Sequence, residues 1–213
     1  MDEPRIPIFP LNTVLMPRMP LPLHVFEERY RIMISECITA GREFGVVNAS
    51  GSRLQNVGAT AEIKSVIKEY DDGRLDILTF GAERFRILEV FEDRPYLTAK
   101  VNMFGDDASD DEEALADALS DAVATLAEFA EVTGTALDIT PLTDIDAEQL
   151  SFLIAVTDIF SNDDRQGFIE MTCTVERLEK VSEAVRRSTI MRKAVREIRH
   201  VVGDSVDISH LFN

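Results

Sequence analysis

Five prolines punctuate the apolar stretch 6–23: Pro7, Pro10, Pro17, Pro20 and Pro22. Each lacks a backbone donor and holds φ near about −65°. At that density no helix can form, so the stretch is expected to be neither the apolar core of a signal peptide nor a membrane span. No other window reaches the roughly 18 uninterrupted apolar residues that a membrane helix requires. The chain must therefore begin as an extended path. Residues 5–9 predict a short strand, with Pro7 at a sheet edge or a strand start. Residues 10–23 predict an irregular loop that holds an extended 13–16 segment.

A helix is expected over about 24–39. Phe26, Tyr30, Met33 and Cys37 recur at helical spacing, Ile34 and Ile38 widen the stripe, and Gly41 is placed to stop it. Residues 44–47, 61–70, 74–80, 84–91 and 96–103 are short runs rich in Val, Ile, Leu and Phe, the pattern of strands. Asp71-Asp72-Gly73 predicts a hairpin turn, and Gly81 and Asp93-Arg94-Pro95 predict two more. Short strands around one early helix predict a small, partly closed β-barrel.

The pattern changes after Phe104. Residues 105–113 form a polar, acidic linker in which Ser109 and Glu112 have capping-box spacing. Helices are expected from Ser109 through Ala130, then over 146–156, 161–171 and 174–200. The predicted fold class is α+β: a barrel over 1–104 followed by an α-helical bundle over 105–213.

With 39 acidic and 22 basic residues, the net charge is −17. That balance disfavours nucleic acid, whose phosphates need a basic face, and anionic membrane surfaces. Residues 105–164 hold seventeen Asp and Glu and no Lys, Arg or His, so the remaining 22 acids match the 22 bases. The last predicted helix is the reverse: Arg186, Arg187, Arg192, Lys193, Arg196 and Arg199 stand with Glu197 alone. Charge complementarity within one bundle accounts for both, and an acidic surface that attracts basic partner segments is the alternative. Cys37 and Cys173 form no CxxC pair and no zinc spacing, and reduced thiols fit a cytoplasmic protein.

No set of residues has catalytic spacing. Phosphate-binding GxxxxGK[ST], GxGxxG and GxSxG are all missing. Ser65 and Lys68 have S-x-x-K spacing but fall in a predicted strand, where residues three apart point to opposite faces. His24 and Glu28 share a helical face but lack the second histidine of a zinc site. No cofactor and no metal ligand is expected.

The N-terminal half carries an ordered set of motifs. Ile8-Phe-Pro-Leu-Asn12, Val14-Leu-Met-Pro17 and Leu21-Pro-Leu-His-Val-Phe-Glu-Glu-Arg-Tyr30 come first. Phe44-Gly-Val-Val47, Val57-Gly58, Asp72-Gly-Arg74, Gly81 with Arg84-Phe-Arg86, and Pro95-Tyr-Leu97 follow in order. Together they resemble the LON domain family, most strongly over 6–101. Arg18 departs from the pattern, standing where the family frequently has glycine. The resemblance implies a PUA-like barrel, then a helical bundle, and a role in recognising unfolded or tagged polypeptides. In full-length Lon proteases an AAA+ motor and a serine–lysine protease domain follow this region, and neither has a counterpart in these 213 residues.

The expectation is therefore a non-catalytic protein- or peptide-binding module for apolar or unfolded segments, its oligomeric state left open. An adaptor with one specific protein partner, acting through the acidic helical half, is the alternative. Met16, Arg18, Met19 and Leu21 are the candidate peptide-binding residues. Methionines adapt to varied apolar partners, and Met16 and Met19 flank a predicted turn at Pro17-Arg18, which should leave both exposed.

Overall fold

A computed structural model describes residues 3–51, 53–108, 111–135 and 145–202, with side chains through 197. Six strands and five helices make an α+β fold. β1 (Arg5–Leu11), β2 (Pro20–Val25), α1 (Glu28–Ala40), β3 (Phe44–Ser50), β4 (Arg53–Glu69), β5 (Leu75–Phe91) and β6 (Thr98–Phe104) come first. α2 (Glu112–Thr133), α3 (Ala147–Ala155), α4 (Asn162–Glu170) and α5 (Thr174–Val202) follow.

The strands form one mixed sheet in the order β2-β5-β4-β3-β1-β6, with a further β5–β6 pairing. β5 makes this possible by changing neighbours along its length. Its first part pairs with β2, from Leu75 to Phe80, and its second part with β6, from Arg84 to Phe91. The sheet is thus partly closed, and β2 remains outside as an edge strand. β1 and β3 run parallel, Ile8 opposite Gly45, so the chain needs a crossover between them, which β2 and α1 provide. Ile8, Val47, Phe85, Ala99 and Val101, from four different strands, fill the closed part.

Two sequence-based boundaries change. Residues 20–23, expected as loop, join His24 and Val25, expected as helix, in strand β2, and α1 begins at Glu28 rather than near His24. Gly81, expected in a turn, lies within the continuous strand β5. The α1 stripe buries Tyr30, Met33, Ile34 and Cys37, whereas Phe26 precedes the helix and is 62% exposed. Gly41 ends α1 in the left-handed region, where the Arg42 N–H reaches back to the Cys37 carbonyl.

The chain divides into two compact units, Met1–Ala108 with Phe152–Thr172, and Ser109–Ser151 with Cys173–Asn213. The sequence reading placed all of 105–213 in one helical half, but 152–172 is grouped with the sheet. Side chains explain the difference. Gln166 of α4 donates from Nε2 to the Val57 carbonyl at 3.1 Å. Arg84 donates to the carbonyls of Ile169 and Met171, at 3.3 and 2.6 Å. Arg84 also pairs with Asp106 and lies 4.8 Å from the Phe104 ring centroid and 5.2 Å from that of Phe152.

In the second unit α2 packs on α5, and the opposite charges of these helices meet. Arg186 pairs with Asp121 and Lys193 with Glu128, each at 2.7 Å. Asp111 caps α2 by accepting from the Ala114 N–H. Ser109, the expected cap, and the tail beyond Val202 lie outside the described residues.

Candidate functional site

The expected binding loop is built around one tight turn. The Met19 N–H donates to the Met16 carbonyl at 3.2 Å, with Pro17 and Arg18 between them. Arg18 has φ of 61°, a left-handed value. Proline second and a positive φ third is the pattern of a type II turn, in which glycine is favoured at the third position. Glycine therefore suits this position better than the Arg18 that stands there.

The turn lies directly on β5. The Arg18 N–H donates to the Gly81 carbonyl at 2.8 Å, and the Gly81 N–H to the Met19 carbonyl at 2.9 Å. A Cβ on Gly81 would stand 2.1 Å from the Met16 carbonyl oxygen. Gly81 is there because another backbone crosses it, not because the chain turns.

This docking corrects the expected exposure of the methionines. Met16 is 0% and Met19 8% exposed, so both belong to the core. A turn's backbone lies at the surface, but its flanking side chains are free to point beneath it. Arg18 is exposed and Leu21 half-buried. Leu21 pairs with Thr79, which is fully buried, and so lies on the inner face of the sheet.

What faces outward from β2 is a set of residues that the loop reading passed over. Opposed residues in an antiparallel pair share a face. Pro20 is opposite Phe80, Pro22 opposite Leu78 and His24 opposite Asp76. Pro20 and Pro22 are exposed, and Leu78 and Phe80 half-buried. The first two rows are wholly apolar, with exposed Phe26 beyond their far end. The signal in the sequence was the alternation Pro-Leu-Pro-Leu over 20–23, whose period of two is that of a strand.

A polar cluster ends the apolar rows. His24 Nδ1 lies 2.5 Å from Asp76 Oδ1, and the Tyr70 hydroxyl donates to Asp76 Oδ2 at 2.8 Å. These bonds, that to His24 foremost, hold the Asp76 carboxyl below its ordinary pKa. The His24 ring stacks on Phe26 at 6.0 Å between centroids. On the β4 side the same face continues with Glu62, Ser65 and Lys68, opposite Phe80, Leu78 and Asp76. The register shift between Val66 and Lys68 thus puts Ser65 and Lys68 on one face, not on opposite faces as simple alternation implied. Lys68 Nζ sits over the Tyr70 ring, 4.2 Å from its centroid. Among the described residues, no group of three His, Cys, Asp or Glu side chains could hold a metal ion, and no helix is long and apolar enough to cross a membrane.

A curled mixed sheet followed by helices is the architecture of a known domain class. Residues 5–187 match the family described as the ATP-dependent protease La (LON) substrate-binding domain, and the chain belongs to that family. Among its relatives, the Lon protease of Flavobacterium johnsoniae is 30% identical over 57% of this chain and 16% of its own length. Lon protease 2 of Herpetosiphon aurantiacus is 28% identical over 96% of this chain and 26% of its own length. The chain therefore spans about a quarter or less of these relatives. Two solved structures share the fold. The N-terminal domain of a Mycobacterium avium complex Lon protease matches with a TM-score of 0.71 at 16% identity, covering 86% of this chain and 98% of the other. A Lon N-terminal domain protein from Xanthomonas campestris matches with a TM-score of 0.63 at 24% identity, covering 84% and 96%.

Proposed function

We propose that this chain is a non-catalytic recognition module that binds apolar segments of polypeptides on the outer face of β2 and β5. The observation that supports this reading is the pair of apolar rows, Pro20 with Phe80 and Pro22 with Leu78, with Phe26 at 62% exposure stacked on His24 beyond them. Prolines on a paired strand form a stiff surface, so a ligand that packs on them orders little of the protein. Arg18 stands at one end and the His24–Asp76 pair at the other, so the apolar rows are bounded by polar groups. Membership of a substrate-binding family supports the same reading. Of the residues the sequence nominated, Arg18 stays in the proposed site as its flank, whereas Leu21, on the inner face, and Met16 and Met19 support it from below.

The test is a titration of a carboxymethylated, permanently unfolded protein against the full chain and the double variant P22E/F26S. Burying one large apolar side chain contributes roughly 1.5–3 kcal/mol, and about 1.4 kcal/mol is tenfold in affinity. The variant should bind at least about tenfold more weakly, with its melting temperature within a few degrees of the parent. Equal affinity for the unfolded protein, or no binding by either form, refutes the assignment.

A further inference from the structure

The sheet has two free edges near this site, and the sequence treats them in opposite ways. On β2 the Met19 carbonyl points to β5, where it accepts from Gly81. Backbone direction alternates along an antiparallel strand, so Pro20 and Pro22 are the positions that point away from β5. Proline has no N–H to offer there, and the β2 edge is closed to a further strand. β4 differs. Its pairing with β3 runs no further than Ala61, while its pairing with β5 continues to Glu69. Residues 62–69 thus have a strand neighbour on one side only among the described residues, and they include neither Pro nor Gly.

A groove of about 500 Å³ lies along this edge. Cys37, Ile38 and Arg42 at the end of α1 line one side, and Ile63, Lys64 and Val66 of β4 the other. Near the far end, Arg31 of α1 donates to the Asp72 carbonyl in the β4–β5 turn. Ile38 and Val66 are each 43% exposed and Ile67 61%. Both bases of the lining are paired, Lys64 with Glu62 at 2.6 Å and Arg42 with Glu36 at 3.2 Å, and Glu43 stands beside them.

We propose that the 62–69 edge of β4 takes up an extended, uncharged and apolar polypeptide segment as an added strand lying in this groove. Backbone donors and acceptors on one side call for those of another strand, and the exposed Ile and Val side chains call for apolar partners. The lining holds two bases, Arg42 and Lys64, and two acids, Glu43 and Glu62, so it presents no net charge to recruit a charged ligand. A second copy of this chain is disfavoured as the occupant, since each copy carries a net charge of −17. Register shifts at 63–65 and 66–68 break the edge into short runs, so few backbone bonds form and the segment is released readily. The inference rests on the reading that the chain recognises apolar polypeptide, and adds where the backbone of that polypeptide is held.

The probe is a fluorescein-labelled peptide of alternating Val and Ser, compared with the same peptide methylated at alternate amide nitrogens. Anisotropy with the full chain should show the methylated peptide binding at least about tenfold more weakly. Hydrogen exchange should show those amides of 62–69 that face away from β5 slowed by the parent peptide alone. A V66K/I67K variant should lose peptide affinity while keeping the parent's melting temperature. Equal binding of the two peptides, binding of neither, or protection confined to 20–25 overturns the inference. So does a dimer in sedimentation whose 62–69 amides are already slow, since the second copy is then the occupant. Binding of the carboxymethylated protein is measured separately, so the β4 edge can fail while the outer-face reading stands.

Discussion

Arg84 and Asp106 form an ion pair whose side chains are 1% and 8% exposed, and the Arg84 guanidinium also holds the Met171 carbonyl at 2.6 Å. A buried charge is tolerated only when paired and hydrogen-bonded, and Arg84 meets that condition by drawing together the end of β6 and the residues after α4. Removing one partner leaves the other uncompensated, which costs on the order of 3–5 kcal/mol. Arg84→Ala should lower unfolding stability by that amount in urea titrations. Arg84→Lys should rescue only part of it, because an ammonium lacks the planar fork that reaches carboxylate and carbonyl together. A loss below about 1 kcal/mol for Arg84→Ala would show that the pair is not a structural node.

Met16 gives a second stability measurement. It is fully buried, so Met16→Ala should cost roughly 2–5 kcal/mol, the range for truncating a buried methionine. Had Met16 been the exposed contact that its turn suggested, the same change would leave the melting temperature nearly unmoved. Thermal unfolding of this one variant decides between core and contact.

Gly81 and Arg18 should respond in opposite directions to mutation. Gly81→Ala puts a Cβ 2.1 Å from the Met16 carbonyl oxygen, a clash with backbone that must push the turn off β5. A loss of at least about 2 kcal/mol is expected, in line with overpacking costs. Arg18→Gly relieves a left-handed φ that costs an L-residue roughly 1–2 kcal/mol, while glycine's added freedom in the unfolded chain returns about 0.5–1 kcal/mol. The net effect should be a small gain in melting temperature. A clear drop would mean that the Arg18 side chain stabilises the turn more than its backbone strains it.

The His24–Asp76 pair makes a prediction about pH. Asp76 titrates below its ordinary value of 3.8, first because of the bond to His24 and then that to Tyr70. A carboxylate with a depressed folded-state pKa stabilises the fold above its unfolded value, and that contribution fades as pH falls through the folded value. The pH dependence is therefore confined to pH below about 4, and near neutrality the contribution is fully present and constant. His24→Ala should move the Asp76 pKa upward in a carbon-detected NMR titration. An unmoved Asp76 would show that the short contact does not persist in solution.

Several parts of this architecture were legible in the residues alone. The α1 stripe, the Gly73 turn and a short helix near 161–171 followed from spacing and turn chemistry, and the short strands around one early helix implied a partly closed sheet. What escaped was decided by tertiary contact. Pro20 and Pro22 read as loop because proline cannot donate to a ladder, and only an edge position, unknown beforehand, lets a strand carry them. Gly81 read as a turn because glycine favours turns, whereas here it yields space to the Met16 carbonyl. Alternation put Arg84 on the face opposite Phe85, but could not reveal that 169–171 covers that face. Nothing in the helical periodicity of 162–170 says that its partner is β4. The outer apolar rows were half visible: their β2 members lay in the nominated loop, while Leu78 and Phe80 joined them only through strand register.

The return of 152–172 to the sheet also sets an order in time. Arg84 and Met171 are 87 residues apart, and a ribosome adding roughly 5–20 residues per second needs about 4–17 s to cover that distance. The β4–β5 hairpin is local and pairs within microseconds once both strands have emerged. For seconds afterwards the nascent sheet holds Arg84 without the carbonyls that will later cover it, and Val57 without Gln166. Water must satisfy these groups in the meantime, so completing the sheet's own unit expels that water seconds after the sheet's sequence has been made.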